Sequence, residues 1–277
     1  MFKSRLTPAA TLCCVSMLLL LATPARANTN YVLNGSFELV GGGLNSSFSL
    51  EDPTSNENDL TDWKLGNTSA LTTSQILNCV VMGGTNTNAC GTVEFGGGFS
   101  YWVNPGESPD LGNYYAADGD SSATDNGGSG GTAGGYSVPI YQTVVGLTPS
   151  ESYLLSFDQA AAQQTGHTGP TTEQWEVEFC TTLPAVACTG SNVKSSTLMN
   201  DASQNDIPWQ TQAMTFTATA ASEVLEFIAI GTPNGEPPFV LLDGVSLQAI
   251  PEPTAFALIG LGLLAIPIAN RVRRKKK

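Results

Sequence analysis

Chemistry in this chain has to be built almost entirely from carboxylates. Between residues 28 and 250 stand 23 acidic residues against two basic ones, Lys64 and Lys194, a net charge of −21, with His167 the single histidine. A surface of that sign repels phosphate backbones, which excludes nucleic acid as a partner, and it attracts divalent cations. Nucleophilic catalysis has little to work with. His167 lies in the stretch QTGHTGPTT with no nucleophile motif nearby, so no Ser-His-Asp apparatus is expected. Carboxylate pairs of the kind used in glycoside hydrolysis are available by number, and Glu176 and Glu178 fall on one face of a predicted strand. Two acids on one face do not yet make a substrate cleft. Asp118-Gly119-Asp120 with Asp125-Asn126 resembles part of a calcium loop, but Ala123 and Ser129 stand where an EF-hand needs Gly and Glu.

Aromatic residues supply a second kind of chemistry. Tyr101-Trp102 and Tyr114-Tyr115 are adjacent pairs, so within a strand one member of each must face away from the core. These four are the candidates for stacking on sugar rings, where a flat aromatic face meets the apolar face of a pyranose. Trp63 and Trp175 sit inside strand patterns and read as interior.

Beyond residue 27 there are four cysteines, Cys79, Cys90, Cys180 and Cys188. An even number in an exported chain points to disulfides, and four cysteines permit three pairings. Local pairing, Cys79 with Cys90 and Cys180 with Cys188, is the economical choice. Zinc is the rival use, but no CxxC occurs and only one histidine is on hand.

The elements that must position these groups are strands. Only 13% of the chain is charged and Gly is enriched at 29 residues, which argues against helical bundles and coiled coils. Runs such as Val138–Val145, Tyr153–Asp158, Trp175–Phe179, Met214–Ala218, Val224–Ile230 and Phe239–Leu247 are β-branched, aromatic and bounded by Gly, Pro, Asn or Ser. No segment between 28 and 250 keeps a helical spacing with caps at both ends. The expected body is therefore an all-β sandwich of two packed sheets over residues 28–249. Residues 41–60 and 118–135 are Gly-rich and polar, and read as loops inserted into that one domain.

Both ends read as addresses. Residues 1–27 have the parts of a secretory signal peptide: Lys3 and Arg5, an apolar Leu12–Ala22, and Ala25-Arg26-Ala27 for signal peptidase, leaving Asn28 as the mature start. At the other end Pro251-Glu252-Pro253 is followed by an apolar stretch over 254–270 and then by RVRRKKK. Seventeen residues is the lower limit of a transmembrane helix, and the basic tail would stay cytoplasmic with the body outside. The three features in this order over 250–277 resemble the PEP-CTERM sorting signal. That resemblance implies recognition by an exosortase of a Gram-negative bacterium, removal of the tail near the tripeptide, and delivery of the body to the cell surface or extracellular matrix. A permanent single-pass anchor is the alternative.

The order of patterns in the body resembles the galactose-binding-like jelly roll of several carbohydrate-binding modules. The residues that carry it are Asn34-Gly35-Ser36-Phe37-Glu38, the block IYQTVVGLTPSESYLLSFDQA from Ile140 to Ala160, and LLDGVSL from Leu241 to Leu247. The resemblance implies a structural calcium ion where first and last strands meet, with Glu38 and Asp243 as ligands; hard carboxylate oxygens suit that ion. Read without it, the two are strand-end acids. No other cofactor is expected. The sequence thus predicts an exported, non-enzymatic surface protein, structural or adhesive, with extracellular polysaccharide as its partner. A secreted carbohydrate-active enzyme using a carboxylate pair is the competing function.

Overall fold

In a computed structural model of the chain, the described residues are 29–41, 48–49, 60–66, 78–81, 100–120, 139–182 and 188–250. They contain twelve strands: β1 (Phe48–Ser49), β2 (Lys64–Leu65), β3 (Asn78–Val81), β4 (Tyr114–Asp118), β5 (Ile140–Val145), β6 (Ser152–Gln163), β7 (Thr171–Cys180), β8 (Val193–Ser195), β9 (Met199–Asp201), β10 (Asp206–Thr217), β11 (Ser222–Thr232) and β12 (Pro238–Ala249). One sheet runs β1-β3-β4-β12-β6-β10, the other β2-β5-β11-β7-β8 with β9 also on β7. Every strand pairing is antiparallel. The all-β sandwich expected from the sequence is the architecture found.

Alternation decides which side chains fill the space between the sheets. On β7 Trp175, Val177 and Phe179 point inward, and on its antiparallel partner β11 Leu225, Phe227 and Ala229 do the same. The facing sheet contributes Leu155, Phe157 and Ala161 from β6 and Val240, Leu242 and Leu247 from β12. Phe227 is the hub of an aromatic cluster, with Trp63, Phe157 and Trp175 all edge-on to it. Trp63 and Trp175 are interior, as their strand patterns required, and Trp175 Nε1 donates to the Leu241 carbonyl at 3.0 Å.

Strands β6, β10 and β12 each run to 12 residues, longer than their apolar runs suggested. The excess lies in Ala160-Ala161-Ala162 and in the polar start of β10, segments without β propensity that pair because their neighbours are fixed. On β12 the register shifts between Asp243 and Ser246. Gly244 takes φ +60° there, which absorbs one residue and returns Val245 and Leu247 to the interior.

Cys180 and Cys188 are disulfide-bonded, closing the loop after β7. Cys79 is disulfide-bonded as well; Cys90, its expected partner, lies outside the described residues. So do the signal segment 1–27, the tripeptide Pro251-Glu252-Pro253 and the apolar 254–270.

Candidate functional site

The outer face of the β4-β12-β6-β10 half of the first sheet is where most of the singled-out residues meet. Tyr114 and Ala116 on β4, Phe239, Leu241 and Asp243 on β12, Asp158, Ala160 and Ala162 on β6, and Trp209 on β10 share it. The many alanines leave this face shallow, and residues 100–112 lie across it as a strap. The strap is held by Trp102 N–H to the Gln163 carbonyl at 3.0 Å and by Thr165 N–H to the Ser100 carbonyl at 2.7 Å. Further along, Trp209 Nε1 donates to the Gly106 carbonyl at 3.0 Å, and Asn104 Nδ2 donates to the Tyr114 hydroxyl at 3.3 Å.

That strap corrects the expectation for the aromatic pairs. Tyr114 does face away from the sandwich interior, but the strap buries it against Trp209, and Tyr101, itself in the strap, is turned down onto the same face against Phe239. Tyr115 points inward and lies between Phe37 and Trp175. Burial pushes the phenols of Tyr101, Tyr114 and Tyr115 up, so all three stay neutral. Facing away from one core is not the same as facing solvent, since a second layer can cover the outer face.

Trp102 alone of the four remains open, at 39% exposure. Its indole Nε1 donates to the His167 carbonyl at 2.7 Å, which pins the ring to the β6–β7 loop. That loop is tied in turn to the β11–β12 loop. His167 Nδ1 lies 3.0 Å from the Gly235 carbonyl and 3.6 Å from Glu236, whose Oε2 accepts the Thr168 N–H at 2.9 Å. An exposed aromatic face beside a carboxylate is thus built from three chain segments at one end of the sandwich.

Glu38 and Asp243 come together at the other end of the strap. Asp243 is fully buried, accepts the Ser108 hydroxyl, and takes the Gly244 N–H at 2.7 Å. Burial, with Asp110 and Glu38 as further negative charges, holds its carboxyl up to about 8 despite those hydrogen bonds. Glu38 accepts the Asn113 N–H at 2.6 Å. Gly112 takes φ +78°, a conformation that favours glycine, and a Cβ there would displace the Glu38 carboxylate from this position. Asp158 is paired directly across from Asp243, and its Oδ1 accepts the Thr211 hydroxyl at 2.6 Å. The donors are hard oxygens, and Asp243 is a buried acid with only like charges around it, so the chemistry fits calcium. Among the described residues no group of three or more acidic, His or Cys side chains is arranged to hold one metal ion.

Other sequence candidates have structural employment. Asp118 Oδ1 accepts the Asp120 N–H at 2.9 Å, and Asp120 Oδ2 accepts the Gly235 N–H at 2.7 Å, which fixes a corner between the sheets. Glu178 stands opposite Glu226 across β7 and β11, a carboxylate pair, but both are buried and Glu178 Oε2 accepts the Cys188 N–H at 2.6 Å. Sequence reasoning missed Ser108, Asp110 and Asp158. The first two stand in a stretch with no strand pattern, and pairing of Asp158 with Asp243 is a matter of register.

A model of the PEP-CTERM protein-sorting motif matches residues 249–275. No curated protein matches the chain. Among solved structures it is similar to the enzymatically active domain of bacteriophage CBA120 tailspike protein 4, at 13% identity and TM-score 0.37, over 80% of this chain and 21% of the tailspike chain. It is also similar to TmCBM61 in complex with β-1,4-galactotriose, at 12% identity and TM-score 0.37, over 80% of this chain and 99% of that one. The CBM22-1 xylan-binding domain of Xyn10C from Paenibacillus barcinonensis matches at 12% identity and TM-score 0.32, over 82% of this chain and 97% of that one.

Proposed function

We propose that this chain is an exported, non-enzymatic surface protein, processed by an exosortase, whose body has a structural or adhesive place in extracellular polysaccharide. The observation that carries the reading is the PEP-CTERM sorting motif at 249–275, directly after the last strand of the sandwich. Bonded cysteines at 79, 180 and 188 agree with a body that folds outside the reducing cytoplasm. A net −21 over residues 28–250 agrees with a body kept apart from nucleic acid.

Glycan contact is assigned to Trp102 and the loops around it. Trp102 supplies a stacking face, while the Glu236 carboxylate beside it supplies an acceptor for sugar hydroxyls. A calcium ion would be held by Glu38 and Asp243, where it would neutralise a buried acid and lock the strap to the last strand.

Intact mass of the protein recovered from its native cell surface tests the sorting reading: a chain shortened near Pro251-Glu252-Pro253 is expected, and one still ending at Lys277 would overturn it. A glycan array run with calcium and with chelator tests the binding reading. Trp102→Ala should abolish retained signals at a stability cost of only about 1 kcal/mol, the lost hydrogen bond to the His167 carbonyl, because the ring is not part of the core. Unchanged glycan signals in that variant would reassign the contact.

A further inference from the structure

Going beyond the reading above, we infer that Glu173, Asp201 and Thr171 form a second divalent-cation site, of calcium chemistry, where β9 lies against β7 inside the sandwich. None of its residues belongs to the Glu38–Asp243 neighbourhood. Thr171 and Glu173 are two apart on β7 and so share one face, the face of Trp175 and Val177 that points inward. Asp201 on β9 is paired directly opposite Thr171, and Met199 opposite Glu173. Two carboxylates and a hydroxyl therefore converge on one patch of an otherwise apolar interior, with exposures of 0% for Glu173 and 2% for each of Asp201 and Thr171.

Both oxygens of Glu173, both of Asp201 and the Thr171 hydroxyl are sealed from solvent, and none makes a hydrogen bond. Two other buried acids are treated differently. Glu223 takes the Thr219 and Ala220 N–H groups at 2.7 and 3.2 Å, and Asp243 has Ser108 and Gly244. At Glu173 and Asp201 no hydrogen bond of good geometry satisfies the carboxylates, although the Thr171 hydroxyl lies beside Glu173 and the Ala202 N–H beside Asp201. The charges that act on them are acidic as well, Asp201 on Glu173 and Asp206 on Asp201. Unpaired buried charge is one of the most costly arrangements a fold can keep.

A divalent cation resolves all five oxygens at once. Calcium takes about six to eight oxygen ligands; two chelating carboxylates and a hydroxyl supply five of them, with water or backbone carbonyl for the rest. The absence of nitrogen or sulfur from the three side chains disfavours zinc. Two acids rather than three or four point to affinity of about 10⁻⁴–10⁻³ M, the range of extracellular modules.

Equilibrium dialysis of the full-length protein in millimolar calcium tests the site. Wild type should bind one more calcium per chain than Glu173→Gln, and Asp201→Asn should behave likewise. Terbium gives an independent reading, because Trp175 is two residues from Glu173 on the same face, roughly 7 Å along the strand. Terbium emission excited through tryptophan should fall at least about 5-fold in Glu173→Gln. In chelator that variant should unfold no earlier than wild type, since the amide removes a buried charge. Equal calcium counts and equal emission would overturn the site, and so would a Glu173→Gln chain that fails to fold in chelator, which would make the carboxylate structural. The same comparison in a Glu38→Gln background separates the two sites: calcium lost there bears on the Asp243 neighbourhood, while the difference made by Glu173→Gln bears on this one.

Discussion

Removing the Cys180–Cys188 bridge is the sharpest test of how the second sheet is finished. The two cysteines are 8 residues apart in sequence, and the bond ties the end of β7 to the chain returning toward β8. Both sulfurs are buried in a small apolar cluster with Val224, flanked by Tyr141 and Val193. Replacing both cysteines by alanine keeps that cluster apolar, so the main change is the freedom returned to the unfolded chain. For a loop of this length that freedom corresponds to about 2.5 kcal/mol. A second loss follows in the folded state, because the Cys188 N–H is the donor that satisfies Glu178 at 2.6 Å. If the loop frays, Glu178 loses that donor beside Glu226 and Glu176. The double variant should therefore lose about 2.5–4 kcal/mol in urea unfolding and melt about 5–12 °C lower, with an m value equal to or slightly above wild type. Thiol titration of the native protein gives the control. A loss below about 1 kcal/mol, or reactive thiols at Cys180 and Cys188 in the exported protein, would refute the reasoning, the first on energetics and the second on compartment.

Three further outcomes follow from the packing. Gly35→Ala should cost at least about 2 kcal/mol in urea unfolding, because its Cβ would collide with the Val245 carbonyl, a backbone group on the last strand; a change within 0.5 kcal/mol would mean that the first segment is not docked there. Trp175→Phe should cost about 2 kcal/mol, roughly half from the lost hydrogen bond to the Leu241 carbonyl and half from unfilled volume, and Trp175→Ala about 3–5 kcal/mol. Glu176 is raised above its ordinary value by burial and by the charge of Glu178. Its raised folded value favours the protonated form, so the associated stability is full below about pH 4.5 and drains away as pH rises through the folded value. Glu176→Gln should flatten that part of the profile, giving a higher urea midpoint than wild type at pH 8 and little difference at pH 4; equal slopes for the two proteins would contradict the assignment.

How much of this was legible beforehand depends on the range of the interaction. Period-two runs such as Trp175–Phe179 and Val224–Ile230 fixed strand type and inner face, because alternation is a property of the chain alone. The tail was legible for the same reason: Pro251-Glu252-Pro253, the apolar stretch and RVRRKKK are read in order along the chain, and the sorting motif matches at 249–275. Local cysteine spacing likewise anticipated the Cys180–Cys188 bond.

Only the tertiary structure decided what covers what. Tyr114 alternates away from the sandwich interior, as its sequence requires, yet it is buried because residues 100–112 cross that face. Asp158 meets Asp243, and Asp201 meets Thr171, through register between strands far apart in sequence. A shift of one residue in either ladder would turn those acids to the opposite side. Composition and periodicity are local quantities, and they set the charge, the strands and the address. Which carboxylates end up sharing a dry space depends on long-range pairing and on a second layer of chain, and neither leaves a mark in a window of a dozen residues.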